Sequence, residues 1–338
     1  MVRVGIIGLG GMGNAHLGNY QSVEGAEVVA VADVDPEKLK AGESSMKINI
    51  GEGGGTIREG TKLYDSADKL IADPDVDLVD ITLPTFLHAE NMIKAIRAGK
   101  NVLCEKPMAM DYAECEEVLK AHEGSGVKLM IAQCIRFWPE YEYLKETVDS
   151  GRLGALKSLH MWRGGGLPAW SWDGWLQDHK RSGGAVLDLH VHDVDFVNHL
   201  LGTPSSVCST GAVGGTGGYD VVDTVYIYEG RKMSVHTGAN MALPREFGFE
   251  MKYAASFENG CLTYSSASSP TLTEITGGEK THPEVPAASG YARELAYFVG
   301  CVEKGEEPAR CLPQTSAISI KINRAEIQSI DTGKAVEV

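Results

Sequence analysis

The chain has 338 residues, 43% of them hydrophobic and 23% charged, enough for two domains with a core in each. Its 46 acidic residues against 31 basic ones leave a formal net charge of −15, and no basic cluster stands out, which excludes a nucleic-acid binder. The seven cysteines are scattered without metal-ligand spacing, so reduced thiols in the cytoplasm are expected. The apolar run 2–9 is too short to cross a membrane and runs into glycines rather than a cleavage site.

In chain order, 2–7 is a β-rich apolar run that meets Gly8-Leu9-Gly10-Gly11-Met12-Gly13, a G-x-G-x-x-G match. Such a match alone is weak, but here a strand precedes it and a helical stretch, 14–23, follows. Gly8 makes the tight turn, Gly10 lets backbone approach a pyrophosphate, and Gly13 lets helix pack on strand. The helix N-terminus then offers N–H groups to phosphates. A second strand, 28–32, ends in Asp33, twenty residues beyond Gly13, where an acid would bind the adenosine ribose. No arginine follows to hold a 2′-phosphate and Asp35 would repel one, so NAD is expected over NADP.

The glycine-rich stretch 47–60 reads as a variable surface loop. A short helix lies around 69–72, a strand at 76–83 ending before Pro84 and Thr85, and a helix at 86–98. His88, in the first turn of that helix, is open to a cofactor contact or to a capping or solvated role. The strand 101–107 ends in Glu105-Lys106-Pro107, and ligands of open parallel sheets bind outside such carboxyl ends. Asp111 caps a helix over 112–123, and 128–134 is one more strand. Alternating strands and helices mean a doubly wound parallel sheet. The second half changes texture, with strands at 155–163, 221–228, 233–238, 247–254 and 261–264 between turn-rich pieces. It is read as a mostly antiparallel sheet, with helices at 139–150, 185–201, 290–303 and 315–330 and loops at 211–218 and 265–270. The expected division is a dinucleotide-binding domain over 1–128 and a substrate-binding and oligomerisation domain over 129–338.

The helix 185–201 carries Asp188, His190, His192, Asp193, Asp195 and His199. Asp188 and His192 are four apart and share one face. A carboxylate beside an imidazole fixes its tautomer and stabilises the imidazolium formed on proton uptake. Competing readings are a solvated polar face, a buried structural hydrogen bond, and a metal site on His190 and His192. The last is disfavoured because positions i and i+2 diverge on a helix, and no metal is expected. Arg136, Arg163 and Trp172, the last in the cluster Trp170-Ser171-Trp172-Asp173-Gly174-Trp175, are candidate substrate contacts, although three tryptophans equally suit an interface or a satellite core.

Together these residues resemble the glucose–fructose oxidoreductase and inositol dehydrogenase family (Gfo/Idh/MocA). The resemblance rests on the glycines of 8–13, Asp33, Glu105-Lys106-Pro107, and Gly183-Gly184 followed by Asp188 and His192. It implies a Rossmann domain followed by an α/β domain with a large open sheet. A nicotinamide cofactor, a sugar or cyclitol substrate, and a homodimer or homotetramer built on that sheet are also implied. Lys106, Asp188 and His192 match the family's catalytic positions. The residues expected along the cofactor are Gly8, Gly10, Gly11, Met12, Gly13, Asp33, Pro84, Thr85, His88, Glu105 and Lys106. Substrate contacts are expected from Arg136, Arg163, Trp172, Asp188 and His192. The stretch 47–60 is an insertion relative to the family pattern. An NAD-dependent dehydrogenase of a sugar or cyclic polyol is the first expectation. An NAD-dependent glycosidase working by transient oxidation, and a non-catalytic NAD sensor, are the alternatives. His192 is read as the general base, with Lys106 as the other candidate.

Overall fold

A computed structural model describes residues 1–40, 43–47, 52–168 and 171–338, with the backbone alone for 43–47 and 52–53. Two compact units divide it: 1–137 with 288–317, and 138–287 with 318–338. The sequence reading divides the chain once, at 128/129. The structure instead returns the helix Gly290–Lys304 to the first unit, where Leu295, Phe298 and Val299 join its core.

The first unit has strands β1 (Val2–Ile7), β2 (Ala26–Ala32), β3 (Glu43–Lys47), β4 (Glu52–Thr56), β5 (Lys62–Tyr64), β6 (Leu78–Ile81), β7 (Asn101–Glu105) and β8 (Leu129–Ala132). Six of them form one parallel sheet in the order β5-β2-β1-β6-β7-β8. Counted within this sheet, that order is 3-2-1-4-5-6, the doubly wound arrangement whose switch point lies between β1 and β6. The central strands are continuous apolar runs because helices cover both faces; β6 and β8 are buried along their whole length.

The stretch read as a loop over 47–60 is in part an antiparallel hairpin of β3 and β4; residues 48–51 lie outside the described ones. Its strand Glu52–Thr56 is mostly glycine, so the alternation that marks a strand is missing from the sequence. Glycine suits the packing here. A side chain started at Gly18 of the helix Gly11–Tyr20 would meet the Gly54 carbonyl oxygen at 2.0 Å.

The second unit carries β9 (Leu156–Gly165), β10 (Ser206–Val213), β11 (Tyr219–Ile227), β12 (Ser234–Asn240), β13 (Phe249–Phe257), β14 (Gly260–Ser265), β15 (Leu272–Thr276), β16 (Glu279–Thr281) and β17 (Val336–Glu337). They form one sheet, β16-β15-β14-β13-β9-β12-β11-β10-β17, antiparallel except where β9 meets β12. The mostly antiparallel expectation holds. The start of the stretch 211–218, read as a loop, is the end of β10. Along β11 and β13 buried and exposed residues alternate, so one face is covered. The cover includes Ala185, Val186 and Leu189, packed on Val222 and Ala239 with Ile327 and Ile330.

Beneath that cover lies an ion pair. Arg163 on β9 donates to both oxygens of Asp193, at 2.9 and 2.6 Å, and neither side chain exceeds 2% exposure. The bidentate geometry is what makes such burial tolerable. Removing one partner strands a buried charge, so Asp193→Ala should lower unfolding stability by roughly 3–5 kcal/mol. Urea denaturation checks this, and a stability close to the unsubstituted protein's would show that the pair does not hold the unit together.

Candidate functional site

In the first unit the glycine-rich loop joins β1 to the helix Gly11–Tyr20. Gly8 sits at φ +94°, in the left-handed region open to glycine. A side chain at Gly13 would meet the Gly8 carbonyl oxygen at 1.8 Å, whereas nothing lies within 4 Å of one at Gly10. The open space is thus at the position expected to approach a pyrophosphate, and no side chain caps the helix N-terminus that follows. Gly11 and Met12 are the first residues of that helix. These features fit a dinucleotide.

Asp33, just past β2, accepts from the Leu9 amide at 2.7 Å and, through its other oxygen, from the Asp35 amide at 2.9 Å. The oxygen that accepts from Asp35 retains a lone pair for a ribose hydroxyl. Lys38 stands 3.4 Å from the same carboxylate. The sequence reading found no cation at this end; the turn that carries the chain past Asp35 and Pro36 brings one back.

Beyond β6, Pro84 precedes a 3-10 turn, Thr85–Leu87, in which Thr85 is buried. His88 follows and is 1% exposed, which removes the solvated reading. Its Nδ1 lies 2.7 Å from the Pro107 carbonyl oxygen and its Nε2 2.7 Å from that of Leu83. Both nitrogens face main-chain acceptors, and burial pushes the ring's pKa down.

Glu105 ends β7 and Lys106 follows it, half-buried. The Glu105 carboxylate turns inward. One oxygen accepts from the Lys106 amide at 3.0 Å and the other is 3.1 Å from His16 Nε2. His16 Nδ1 lies 2.8 Å from Asp80 on β6. Burial alone would lower the pKa of His16, but Asp80 and Glu105 outweigh it and hold the ring well above the ordinary histidine value. Glu105 is held low: burial opposes this, and the hydrogen bond and charge of His16 prevail. Glu294 lies nearby, its pKa driven well up by burial and by the Glu105 charge. The ligand atoms of His16, Glu105 and Glu294 fall within 4.8 Å of one another.

In the second unit, Gly183 and Gly184 take φ +79° and +63°, and a π-helical turn, Val186–His190, follows. The α-helix Val191–Leu201 begins only then, so the expectation of one α-helix over 185–201 is corrected. Asn323 donates to the Val186 carbonyl at 3.2 Å, the kind of side-chain contact that accompanies a departure from regular helix. Across 185–198 every residue is buried except Asp188 and His192. His190 lies 3.3 Å from Glu326, Asp193 pairs with Arg163, and Asp195 accepts from Ser319 at 2.9 Å. The solvated-face reading fails, and the two residues named as the acid–imidazole pair are the two that reach outward.

The arginines are corrected. Arg163 is held by Asp193, and Arg136, 2% exposed, donates to the Arg310 carbonyl and to Thr315 Oγ1, both at 3.0 Å. Both serve as internal ties rather than substrate contacts. Trp172 is 47% exposed with the Arg181 guanidinium 5.9 Å from its ring centre, while Trp170 lies outside the described residues.

Residues 2–133 match the family described as "Oxidoreductase family, NAD-binding Rossmann fold", and 141–263 match the "GFO/IDH/MocA C-terminal domain". The chain belongs to the Gfo/Idh/MocA oxidoreductase family. Among curated members, inositol 2-dehydrogenase of Rhizobium meliloti (strain 1021) is 28% identical over 322 residues, 91% of each chain. Myo-inositol 2-dehydrogenase of Thermotoga maritima is 26% identical over 322 residues, 91% of this chain and 90% of its own. Among solved structures, aldose-aldose oxidoreductase from Caulobacter crescentus superposes with a TM-score of 0.84 at 21% identity, covering 100% of this chain and 99% of that one. That likeness speaks to the fold alone. As a Gfo/Idh/MocA member the chain is an NAD(P)-dependent oxidoreductase acting on CH–OH groups. Among the described residues no helix is long and apolar enough to cross a membrane.

Proposed function

We propose that the protein is an NAD-dependent dehydrogenase of a cyclic polyol or sugar, with Lys106, Asp188 and His192 handling the proton. The observation that carries this is that, within 185–198, Asp188 and His192 alone are half-buried while His190, Asp193 and Asp195 are fully buried. Three of the curated relatives that match about nine-tenths of the chain are named inositol or myo-inositol 2-dehydrogenases, which supports a ring polyol.

When bound, the nicotinamide cofactor accepts the hydride. The chain's own residues deal with the proton and the oxygen. Neutral His192 takes the hydroxyl proton during oxidation, and its imidazolium returns it in reduction. Asp188 orients the ring and stabilises the charged form. The Lys106 ammonium donates to the substrate oxygen and stabilises alkoxide as it develops. At the adenosine end, Asp33 and Asp35 disfavour a 2′-phosphate. Among the described residues, Lys38 is the one cation near Asp33 that the structure adds, and it already faces that carboxylate. NAD is therefore the preferred cofactor.

Self-assembly through the open face of the nine-stranded sheet belongs to the same proposal. That face carries exposed Val225 and Ile227 and the stacked rings of His160 and His236, with centroids 4.6 Å apart. Light scattering should give a homodimer or homotetramer, and a monomer at micromolar concentration would exclude it. A panel of polyols and sugars, each with NAD and with NADP, should give absorbance at the reduced-nicotinamide band with a ring polyol and a higher kcat/KM for NAD. Activity confined to acidic or apolar substrates, or a native preference for NADP, would overturn the assignment. His192→Ala should lower kcat by roughly 10²–10⁴-fold. Lys106→Ala should be at least as damaging, with NAD affinity nearly intact in both by direct titration. Near-normal kcat in both variants would remove these residues from the chemistry.

A further inference from the structure

Lys106 owes its place to a short, irregular exit from β7, and such an exit needs something to hold it. On its N-terminal side, the Glu105 carboxylate accepts the Lys106 amide at 3.0 Å, and that carboxylate is itself held by His16 at 3.1 Å. On its C-terminal side, the Pro107 carbonyl oxygen lies 2.7 Å from His88. The other nitrogen of His88 lies 2.7 Å from the Leu83 carbonyl, so the ring is packed between the segments leaving β6 and β7 and donates to the one its tautomer selects. His16 likewise joins three elements: its own helix behind the glycine-rich loop, β6 through Asp80, and β7 through Glu105.

We propose that His16 and His88 are positioning residues that fix the Lys106 backbone from its two flanks, a proposal that rests on the role given to Lys106 above. The alternative is a purely structural core network. Three observations favour positioning. The carboxylate is on the residue next to Lys106 and is used on the Lys106 amide, not on a distant group. The second histidine lands on the carbonyl one residue further along rather than elsewhere in the sheet. Buried ion pairs are also weak devices for stability alone, since apolar replacements of similar volume often serve as well or better. The network ties the pyrophosphate-binding helix to the strand end bearing Lys106, so the ammonium is placed relative to the loop that receives the cofactor. A residue acting this way changes turnover more than cofactor affinity, because a displacement of about 1 Å at a reacting group costs up to roughly a hundredfold in rate.

The test uses the full chain with His16→Gln, Glu105→Gln and His88→Gln, beside Lys106→Ala as reference. Two readouts are taken: kcat, KM and NAD affinity with the polyol that turns over fastest in the panel, and hydrogen exchange of the peptide 103–110 without substrate. Exchange there should quicken by about tenfold as a hydrogen bond is lost, while peptides of the nine-stranded sheet keep their rates. In the same variants kcat should fall roughly ten- to a hundredfold with NAD affinity almost unchanged. If His16→Gln does not fold, Glu105→Gln and His88→Gln decide the matter. Unchanged exchange at 103–110 in the folded variants overturns the proposal, as does faster exchange with unaltered kcat. Wild-type kcat in Lys106→Ala instead overturns the role of Lys106, while the exchange data still report whether the histidines hold the segment.

Discussion

A fully buried imidazole can be charged only if charge of the opposite sign is buried beside it, and the first unit is arranged around that constraint at His16. Asp80 and Glu105 supply two carboxylates to one ring, drawing two neighbouring parallel strands to the helix that follows the glycine-rich loop. Any one of the three without the others would be a buried, uncompensated charge costing several kcal/mol. The helix cannot rotate, nor β7 slip in register, without breaking the arrangement. Glu294 stands beside this group, and burial and the Glu105 charge push its pKa up.

The parallel sheet was readable from sequence for a simple reason. Strands covered on both faces are continuous apolar runs, and the motif Gly8 to Gly13 fixes where the first one ends. What escaped reading follows from the same physics. The strand Glu52–Thr56 is mostly glycine, so it pairs through its backbone while offering no side-chain pattern. β10 ends in glycine, alanine and valine that continue pairing with β11 beyond the point where turn-forming composition begins. The return of Gly290–Lys304 to the first core depends on contacts with residues nearly three hundred positions earlier, which no local pattern encodes.

The site was legible in its residue types but not in their directions. Six acids and imidazoles between 188 and 199 gave the chemistry; only the structure sorts the ones facing outward from those facing Arg163, Glu326 and Ser319. Arginines at or near strand ends read as ligand contacts because that edge of a sheet is where ligands bind. The partners that claim Arg136, Arg310 and Thr315, lie 174 and 179 residues away. Lys38 left a fainter trace. A lysine five residues past a strand-end acid, across a turn with a proline, can fold back upon that acid, and the spacing was there to be noticed.

The π-helical turn shows how the second unit sets the display of its two outward residues. Four residues slightly overshoot one α-helical turn and fall short of a π turn, so Asp188 and His192 stay on one side of the segment in either geometry. The wide turn changes what lies behind them. There Asn323 donates to the Val186 carbonyl at 3.2 Å and to Glu326 at 3.0 Å; Glu326 in turn accepts from Tyr226 at 2.7 Å and faces His190 at 3.3 Å. These side chains are buried, and through them the turn is linked to strand β11 and to the helix that carries Asn323 and Glu326. The turn is thus tied to residues that never reach the surface, while Asp188 and His192 stay half-buried.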